Sequence, residues 1–498
     1  MASKTNATSF AVAEETSIGV LPGGSPVWTY IEPNDVGAFG ARIQKVARDP
    51  ISQDRQNKKG NITDVDSSVE WTGDLTMDHF LRFAESFVYA NFSGIVSFVP
   101  TAATEDAGGD YYTVSSGGNL TAGWLVYARG FSISKNNGLK RVASGATSTN
   151  LKVEEDLDDE TPPSNAEIRV CGVQGASGDI EIDGDGNLTS TALDFTTLGL
   201  TVGQFIFVGD TENAVYQFAT ANQTTNVNWG LARVLAIAAN KLTLDKKGGT
   251  WTTDAGTGKT IRILYGPFLR NVPVSDGDFI QKSFTFEAAF DGLDDGGGGT
   301  QTEYEYAKGN VANQLELTFP LADKAGMNFS FIGLDTDPPT ATRKAGNWKN
   351  PLLVEAVNTT NDFARLRITK VDETGISTSF KSLTLTINNN ATAEKVIGTL
   401  GAVDIPYGNF EVKGSTEVVF EDSDVIAAVR QNTTVAMDMV IFNDDGGVAI
   451  DIPAMTLGDS GKNLERNTTV KLQIESDAFK DPTLGYSVGM TYFPYIPE

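Results

Sequence analysis

Lys45-Val46-Ala47-Arg48-Asp49-Pro50-Ile51-Ser52-Gln53-Asp54-Arg55-Gln56-Asn57-Lys58-Lys59-Gly60 opens the stretch, running on to Phe87, whose reading decides the fold. From Asp49 to Gly60 it is charged and has no apolar period, so it forms no core element by itself and reads as a long polar loop. Val65 to Thr72 then alternates like a strand. Beyond it, Asp78 precedes Phe80, Leu81, Phe83, Ala84 and Phe87, the spacing of one apolar helix face behind an acidic N-cap candidate.

The same order recurs at Phe410 to Asn432. Glu417-Val418-Val419-Phe420 reads as a strand, and Asp424 precedes Val425, Ile426, Ala428 and Val429. With one gap, Glu70 to Phe83 overlays Glu417 to Val429, the mark of a tandem duplication. Strand-turn-helix order also arises by chance in chains of this kind.

A length of 498 residues allows roughly three domains. The net charge of −26 and the absence of any basic run longer than Lys58-Lys59 or Lys246-Lys247 disfavour a grip on nucleic acid through its phosphates. Cys171 is the only cysteine and His79 the only histidine, so one chain can assemble no disulfide framework, no zinc site and no histidine-dependent triad. No charged start precedes an apolar run, and nothing reaches the ~18 apolar residues of a membrane span. The expectation is a protein made and folded in the cytoplasm, with no membrane contact. Abundant Gly, Thr, Val and Asn point to strands joined by tight turns, hence a mainly β chain with few helices.

Along the chain, residues 1 to about 40, with Leu21-Pro22-Gly23-Gly24, Trp28 and Glu32-Pro33, read either as an extended arm or as a strand tucked into its own domain. Gly37 to Val46 starts the first sheet. Ser93 to Val99 and Thr260 to Tyr265 have similar composition, and pairing them would make everything between an insertion at a hairpin tip.

The insertion carries its own repeat. Leu120-Thr121-Ala122-Gly123-Trp124-Leu125-Val126-Tyr127 is echoed by Leu200-Thr201-Val202-Gly203-Gln204-Phe205-Ile206-Phe207, and Asn137-Gly138-Leu139-Lys140-Arg141-Val142 by Trp229-Gly230-Leu231-Ala232-Arg233-Val234. Leu151-Lys152-Val153 answers Leu242-Thr243-Leu244, and Ile168-Arg169-Val170 answers Ile261-Arg262-Ile263. Four blocks in one order mark two small β modules. The last match competes with the hairpin-tip pairing for Ile261 to Ile263, and the sequence leaves both open.

Ser283 to Glu287, Leu315 to Phe319 and Met327 to Ile332 alternate as strands around the glycine-rich Asp291 to Gln301. Thr336 to Pro351 reads as a linker. Ser382 to Ile387, Val435 to Phe442 and Val470 to Ile474 follow, and Asn443-Asp444-Asp445-Gly446-Gly447 is a hairpin turn.

No chemistry stands out. Asp183-Gly184-Asp185-Gly186-Asn187 resembles the start of a calcium loop but has Ala192 where the bidentate Glu belongs, and reads as a hairpin turn. Gly256-Thr257-Gly258-Lys259-Thr260 lacks the upstream glycine of a phosphate loop. Acidic residues are plentiful, but no carboxylate pair is singled out. The expectation is a non-enzyme needing neither cofactor nor metal.

Glu15-Thr16 with Gly19 and Pro22, Ser52-Gln53-Asp54-Arg55-Gln56, the Ser68 to Leu75 strand and the Asp78 helix together resemble the opening of the tail tube proteins of long, non-contractile-tailed bacteriophages. Ser382-Leu383-Thr384-Leu385-Thr386-Ile387-Asn388 through Phe420-Glu421-Asp422 and its helix is similar to them too. The resemblance covers residues 1 to about 100 and about 280 to 498.

It implies two tandem β-sandwich or half-barrel units, each with one short helix: residues 1–95 and 276–340 for the first and 341–498 for the second. The insert would span 96–275, its repeats lying at about 120–175 and 200–265, and it resembles decoration domains of some tails. Inner strands would join across subunits, giving trimeric rings of pseudo-sixfold symmetry, or hexameric rings as the alternative, stacked into a tube. The subunit would work with tape measure, tail terminator and tip proteins, and viral DNA would pass through the lumen unbound.

Asp49, Asp54, Arg55, Lys58 and Lys59, in the Asp49 to Asp66 loop, are then candidates for an inter-ring contact, ordered on stacking. Inward carboxylates are expected at alternate positions of Ser283 to Glu287, Leu315 to Phe319 and Val470 to Glu475. A rival reading is a glycan-binding or adhesin-like protein whose insert lines a site with Trp124, Trp229 and Trp251. A polysaccharide-acting enzyme comes third.

Overall fold

The computed structural model describes residues 4–497 apart from 49–50, 52, 54–55, 57, 95–96, 212, 219–227, 352–353, 371–374, 378, 421–423, 459–460, 464–465 and 467–468. Asp49, Asp54 and Arg55 lie outside the described residues. Eight strands of one large sheet organise the rest: β1 (Asp35–Arg48), β2 (Lys58–Asp74), β3 (Thr300–Phe319), β4 (Gly326–Gly333), β5 (Phe380–Asn388), β6 (Glu411–Val419), β7 (Gly446–Gly458) and β8 (Lys471–Ala478). Antiparallel pairing places them side by side as β1-β2-β4-β3-β5-β6-β8-β7. The first four strands come from the first half of the tandem repeat and the last four from the second, in the same spatial order.

The repeat extends to fine geometry. β1 is bulged where Val36 faces Trp71 and Ala38 faces Glu70, and β5 where Phe380 faces Val418 and Ser382 faces Glu417. The overlay of Glu70 on Glu417 therefore predicts the bulge position. Behind each set lies an outer layer. In the first half, Val27–Ile31, Thr8–Glu14 and Ser283–Asp294 adjoin the start of β3; in the second, Gly375–Ser377, Phe363–Lys370 and Val435–Asn443 adjoin the start of β7. The N-terminal segment is thus a strand of its own domain rather than a free arm.

Helix α1 (Met77–Val88) closes the first half, but its cap is Thr76 rather than Asp78. The Thr76 hydroxyl accepts the amide of His79, and Asp78 sits in the first turn, paired with Arg82 one turn on. A hydroxyl at the cap and a carboxylate in the first turn both suit the positive end of the helix. Phe80, Phe83 and Phe87 are fully buried, and Phe83 meets Trp71, Phe284, Phe329 and Phe331 at ring-centroid distances of 5.1–5.9 Å. Helix α2 (Asp424–Gln431) buries only Val425 and Ala428. One core cluster runs through both halves, from Val12 to Tyr492.

Several sequence expectations are corrected. Residues 58–66 are strand, not loop: they pair with Arg42 to Arg48 of β1, and over Lys58 to Asp64 this two-stranded ribbon needs no apolar alternation because no core covers either face. Residues 335–349 do not form a free linker. Asp335–Thr340 pairs with β3 and Asn347–Lys349 with Val27–Ile31, while Arg343 stacks on Trp348 and bonds the buried Glu287 at 2.7 Å.

The insert does not form at a hairpin tip closed by Thr260 to Tyr265. Its stem is bridged at Ser93 to Phe268 and, further back, at Ala90 to Phe279. Arg262–Leu264 instead pairs with Glu167–Gln174 and Phe205–Val208, joining the two modules in one sheet. The modules do repeat. Gly123 and Gly203, and likewise Gly138 and Gly230, all take φ between 96° and 102°, where a side chain is strained. The fourth matched block is two residues out of step, since Ile168 faces Ala128 while Ile263, not Ile261, faces Val208. A slip of two keeps the same face inward, so composition does not detect it.

Although the insert interrupts the first half in sequence, it packs on the second. Leu125, Cys171, Phe205, Phe207 and Leu264 share a cluster with Val440, Ala449 and Phe493. Burial pushes the Cys171 thiol up. Arg233 crosses the contact to Asp451 at 2.8 Å and to Asp245 of its own module at 2.6 Å, and Tyr486 donates to Asp451 at 2.9 Å.

Candidate assembly interface

The eight-strand sheet has one dry face and one polar face, one residue apart. Trp71, Phe329, Leu315, Ile387 and Val412 register across five strands and are at most 2 % exposed. The adjacent row reads Asp35, Thr72, Asn328, Glu316, Thr386, Lys413, Asp477 and Thr456, one residue from each strand. Strand alternation with a core on one side produces this division directly.

The polar face carries Glu70, Glu316, Glu411, Glu417, Glu475 and Asp477. Among the described residues the cations alternating with them on β6 and β8 are Lys413, 3.1 Å from Glu411, and Lys471, 3.2 Å from Glu417. Glu316 instead accepts from Asn328 at 2.8 Å and Glu475 from Ser415 at 2.8 Å. A shallow depression of about 350 Å³ lies over Glu70, Glu316 and Asn328. Of the three strands expected to carry inward carboxylates, two place one on this polar face, Glu316 and Glu475. Ser283, Thr285 and Glu287 are instead buried, at 6, 1 and 0 % exposure, because that strand belongs to the outer layer. Glu287 is held there by Arg343 and the Tyr306 hydroxyl.

The edges of the sheet matter as much as its face. Within the chain, Gln314 to Phe319 of β3 pairs with Asn388 to Leu383 of β5, so the second half accepts the first along that edge. Phe319 reaches across to Phe363, ring centroids 5.4 Å apart. The matching edge of the first half, Phe39 to Gln44 of β1, pairs on one side only among the described residues. At the start of β1 opens a cleft of about 1530 Å³ lined by Thr8, Phe10, Asp35, Val36 and Arg129.

β1 and β2 also run far past their neighbours. β4 pairs with β2 only from Ser67 to Asp74, leaving Lys58 to Asp66 as a two-stranded hairpin reaching about 30 Å beyond. Lys58 and Lys59 lie on it and are exposed, as are Lys45 and Arg48 opposite. Lys395, from the loop joining β5 to β6, clamps its base with bonds of 2.7 Å to Asp64 and 2.5 Å to Asp66. The hydrogen bond from Lys395, with another from Gln44, holds the Asp66 carboxyl below its ordinary range.

A family model described as phage tail tube protein matches residues 172–478. The chain belongs to the phage tail tube protein family. The matched span starts inside the insert, takes in β3 to β8, and leaves out residues 1–171, which include the N-terminal part of the resemblance. Comparison with curated proteins gives no match. As a member of this family the tail tube protein is a structural component of a phage tail that assembles into the tube.

No helix among the described residues is long and apolar enough to cross a membrane. Asp183 accepts the amides of Asp185 and Asn187 and pairs with Lys241 at 2.7 Å, which brings its carboxyl down to about 2 although burial opposes this. That loop is a hairpin turn between Glu181–Ile182 and Leu188–Thr189. In the insert, Trp251 is buried in one module core, and Trp124 and Trp229 are partly buried against others.

Proposed function

We propose that this tail tube protein closes trimeric rings by strand pairing, that the rings stack, and that the polar face lines the channel through which DNA is ejected. One observation carries the reading: the first half already serves the second as a ring neighbour would. β3 completes the edge of β5, and the same edge on β1 is open, so the far strand of the second half, β7 with its continuation Lys462–Asn463, pairs with β1 of the next copy. Closure removes every exposed edge. Three chains contribute twenty-four strands, eight each, in a pseudo-sixfold barrel.

The polar face supports the conduit. Glu70, Glu316, Glu411, Glu417, Glu475 and Asp477 outnumber Lys413 and Lys471 across these strands and repel phosphates within the ~8 Å screening length. In this reading the tube is the tail of a long, non-contractile phage, assembled in the host cytoplasm around a tape measure protein and capped by terminator and tip proteins. The chain divides as two tube units with the insert, bound to the second unit, outside the barrel. Mass measurement and electron microscopy of the purified protein test it. Three-copy rings or stacked tubes are expected; six-copy rings, or a chain that stays monomeric at high concentration, contradict it.

A further inference from the structure

We propose that Arg365 and Arg367 hold a small monovalent anion of halide type beneath the insert, and that this ion fastens the insert to the second half of the chain. The inference goes beyond the tube reading and does not depend on it.

Strand register assembles the site. Arg365 and Arg367 stand two apart on Phe363–Lys370, so their side chains leave the same face. Arg367 faces Asp438 on Val435–Asn443, and Asp438 faces Asp451 on β7, which makes one row across three strands. Both arginines bond Asp438, Arg367 at 2.8 Å. The insert roofs this row: the Arg365 guanidinium lies 5.6 Å from the centre of the Phe205 ring, Arg367 donates to the Lys247 carbonyl, and Arg233 pairs with Asp451. The Arg365 side chain is only 10 % exposed and Asp438 only 1 %.

Donors and acceptors do not balance there. Among the described residues, both terminal nitrogens of Arg365 and one of Arg367 are buried without an acceptor, and Asp451 Oδ1 is the one side-chain oxygen of the row left over to receive them. Buried N–H groups require acceptors. Water brings as many donors as acceptors, so it relays such an excess without removing it, whereas an anion brings acceptors alone. The charges lean the same way. Burial pushes the Arg365 guanidinium down despite Asp438, and burial pushes the Asp451 carboxyl up against the pull of Arg233. A proton on Asp451 therefore balances one added negative charge. The neighbouring row, in which Arg365 faces Val440 and Val440 faces Ala449, is otherwise apolar and shares a cluster with Phe493, which suits a single-atom ion.

Hydrogen exchange reads the fastening directly, because the Phe205 amide donates to Thr491 Oγ1 at 2.9 Å across the contact. The full chain is held in sodium gluconate, and sodium bromide replaces it at constant ionic strength. Exchange at Phe205 should slow saturably, about tenfold once bromide reaches about ten times its dissociation constant. Crystals grown in bromide should show its anomalous signal between the two guanidinium groups. Arg367→Lys keeps a positive charge opposite Asp438 but removes the spare nitrogen, and should lose most of the bromide effect with its circular dichroism unchanged. Exchange that ignores bromide or drifts linearly with it would overturn the proposal. So would an anomalous peak without slowed exchange, which means an adventitious ion only, or an undiminished bromide effect in Arg367→Lys.

Discussion

The two halves of the chain share one strand order and one bulge position, yet differ at every place where another molecule would meet them. The second half has its β5 edge filled, its β5–β6 loop folded down and its helix lightly buried. The first half has an open β1 edge, a projecting basic hairpin and a helix set in aromatics. A duplicated unit thus displays, inside one molecule, the contact that the proposed ring would repeat between copies. The free half is the one shaped for a partner.

That asymmetry can be broken most strongly at the open edge. The amide of Asn389 donates to the Asn313 carbonyl, so alternate residues of β5, Leu385 among them, point at β3, and Ala41 stands where Leu385 does. Ala41→Pro removes the outward donor and should abolish rings in gel filtration while circular dichroism of the monomer stays unchanged. Rings from this variant would mean that β1 is not the docking edge.

Core truncation sharpens the contrast next. Phe83→Ala empties a fully buried ring site and should cost about 3–5 kcal/mol in denaturant unfolding, whereas Val425→Ala in α2 should cost about 1.5 kcal/mol, the loss of two methyl groups. Equal costs would contradict the difference in helix anchoring. Between them falls Asp451→Ala. It leaves the buried Arg233 with Asp245 alone and should cost about 3 kcal/mol, loosening the insert from the second half. Limited proteolysis would show the loosening.

A smaller effect separates the halves by pH. Burial lowers the pKa of His79 below its ordinary 6.5, and only the first half carries a histidine. The folded state favours the neutral ring, so its stabilising contribution is present above pH 6.5 and is lost as pH falls through the lower folded value. His79→Gln should flatten the fall in melting temperature as pH drops below about 6.5. Smallest is Lys395→Ala, an exposed clamp worth under about 1 kcal/mol, which should leave stability unchanged and speed hydrogen exchange at the hairpin base.

How much of this the sequence disclosed follows from range of interaction. Helix α1 was legible because Phe80, Phe83 and Phe87 keep one face, and the modules because Gly123 and Gly203 must take positive φ in the same turn. The hairpin was not, since Lys58 to Asp64 faces solvent on both sides and so lacks alternation. The strap at 335–349 was hidden by Pro338 and Pro339, which an edge strand tolerates. The twenty residues of β3 serve two layers, pairing outward at first and with β5 at the end, and no local pattern announces that change. Of the candidate contact residues, Lys58 and Lys59 gain a place on the projecting hairpin. The polar face was half legible, because Glu316 and Glu475 alternate with apolar neighbours, while Glu287 alternates too but turns into the core.

Cryo-electron microscopy of assembled tubes tests the central claim most directly. The account predicts three copies per ring, with Phe39 to Gln44 of β1 hydrogen-bonded to the strand that continues β7 in the neighbouring copy. A ring in which that stretch of β1 stays unpaired, or pairs with another element, would contradict it.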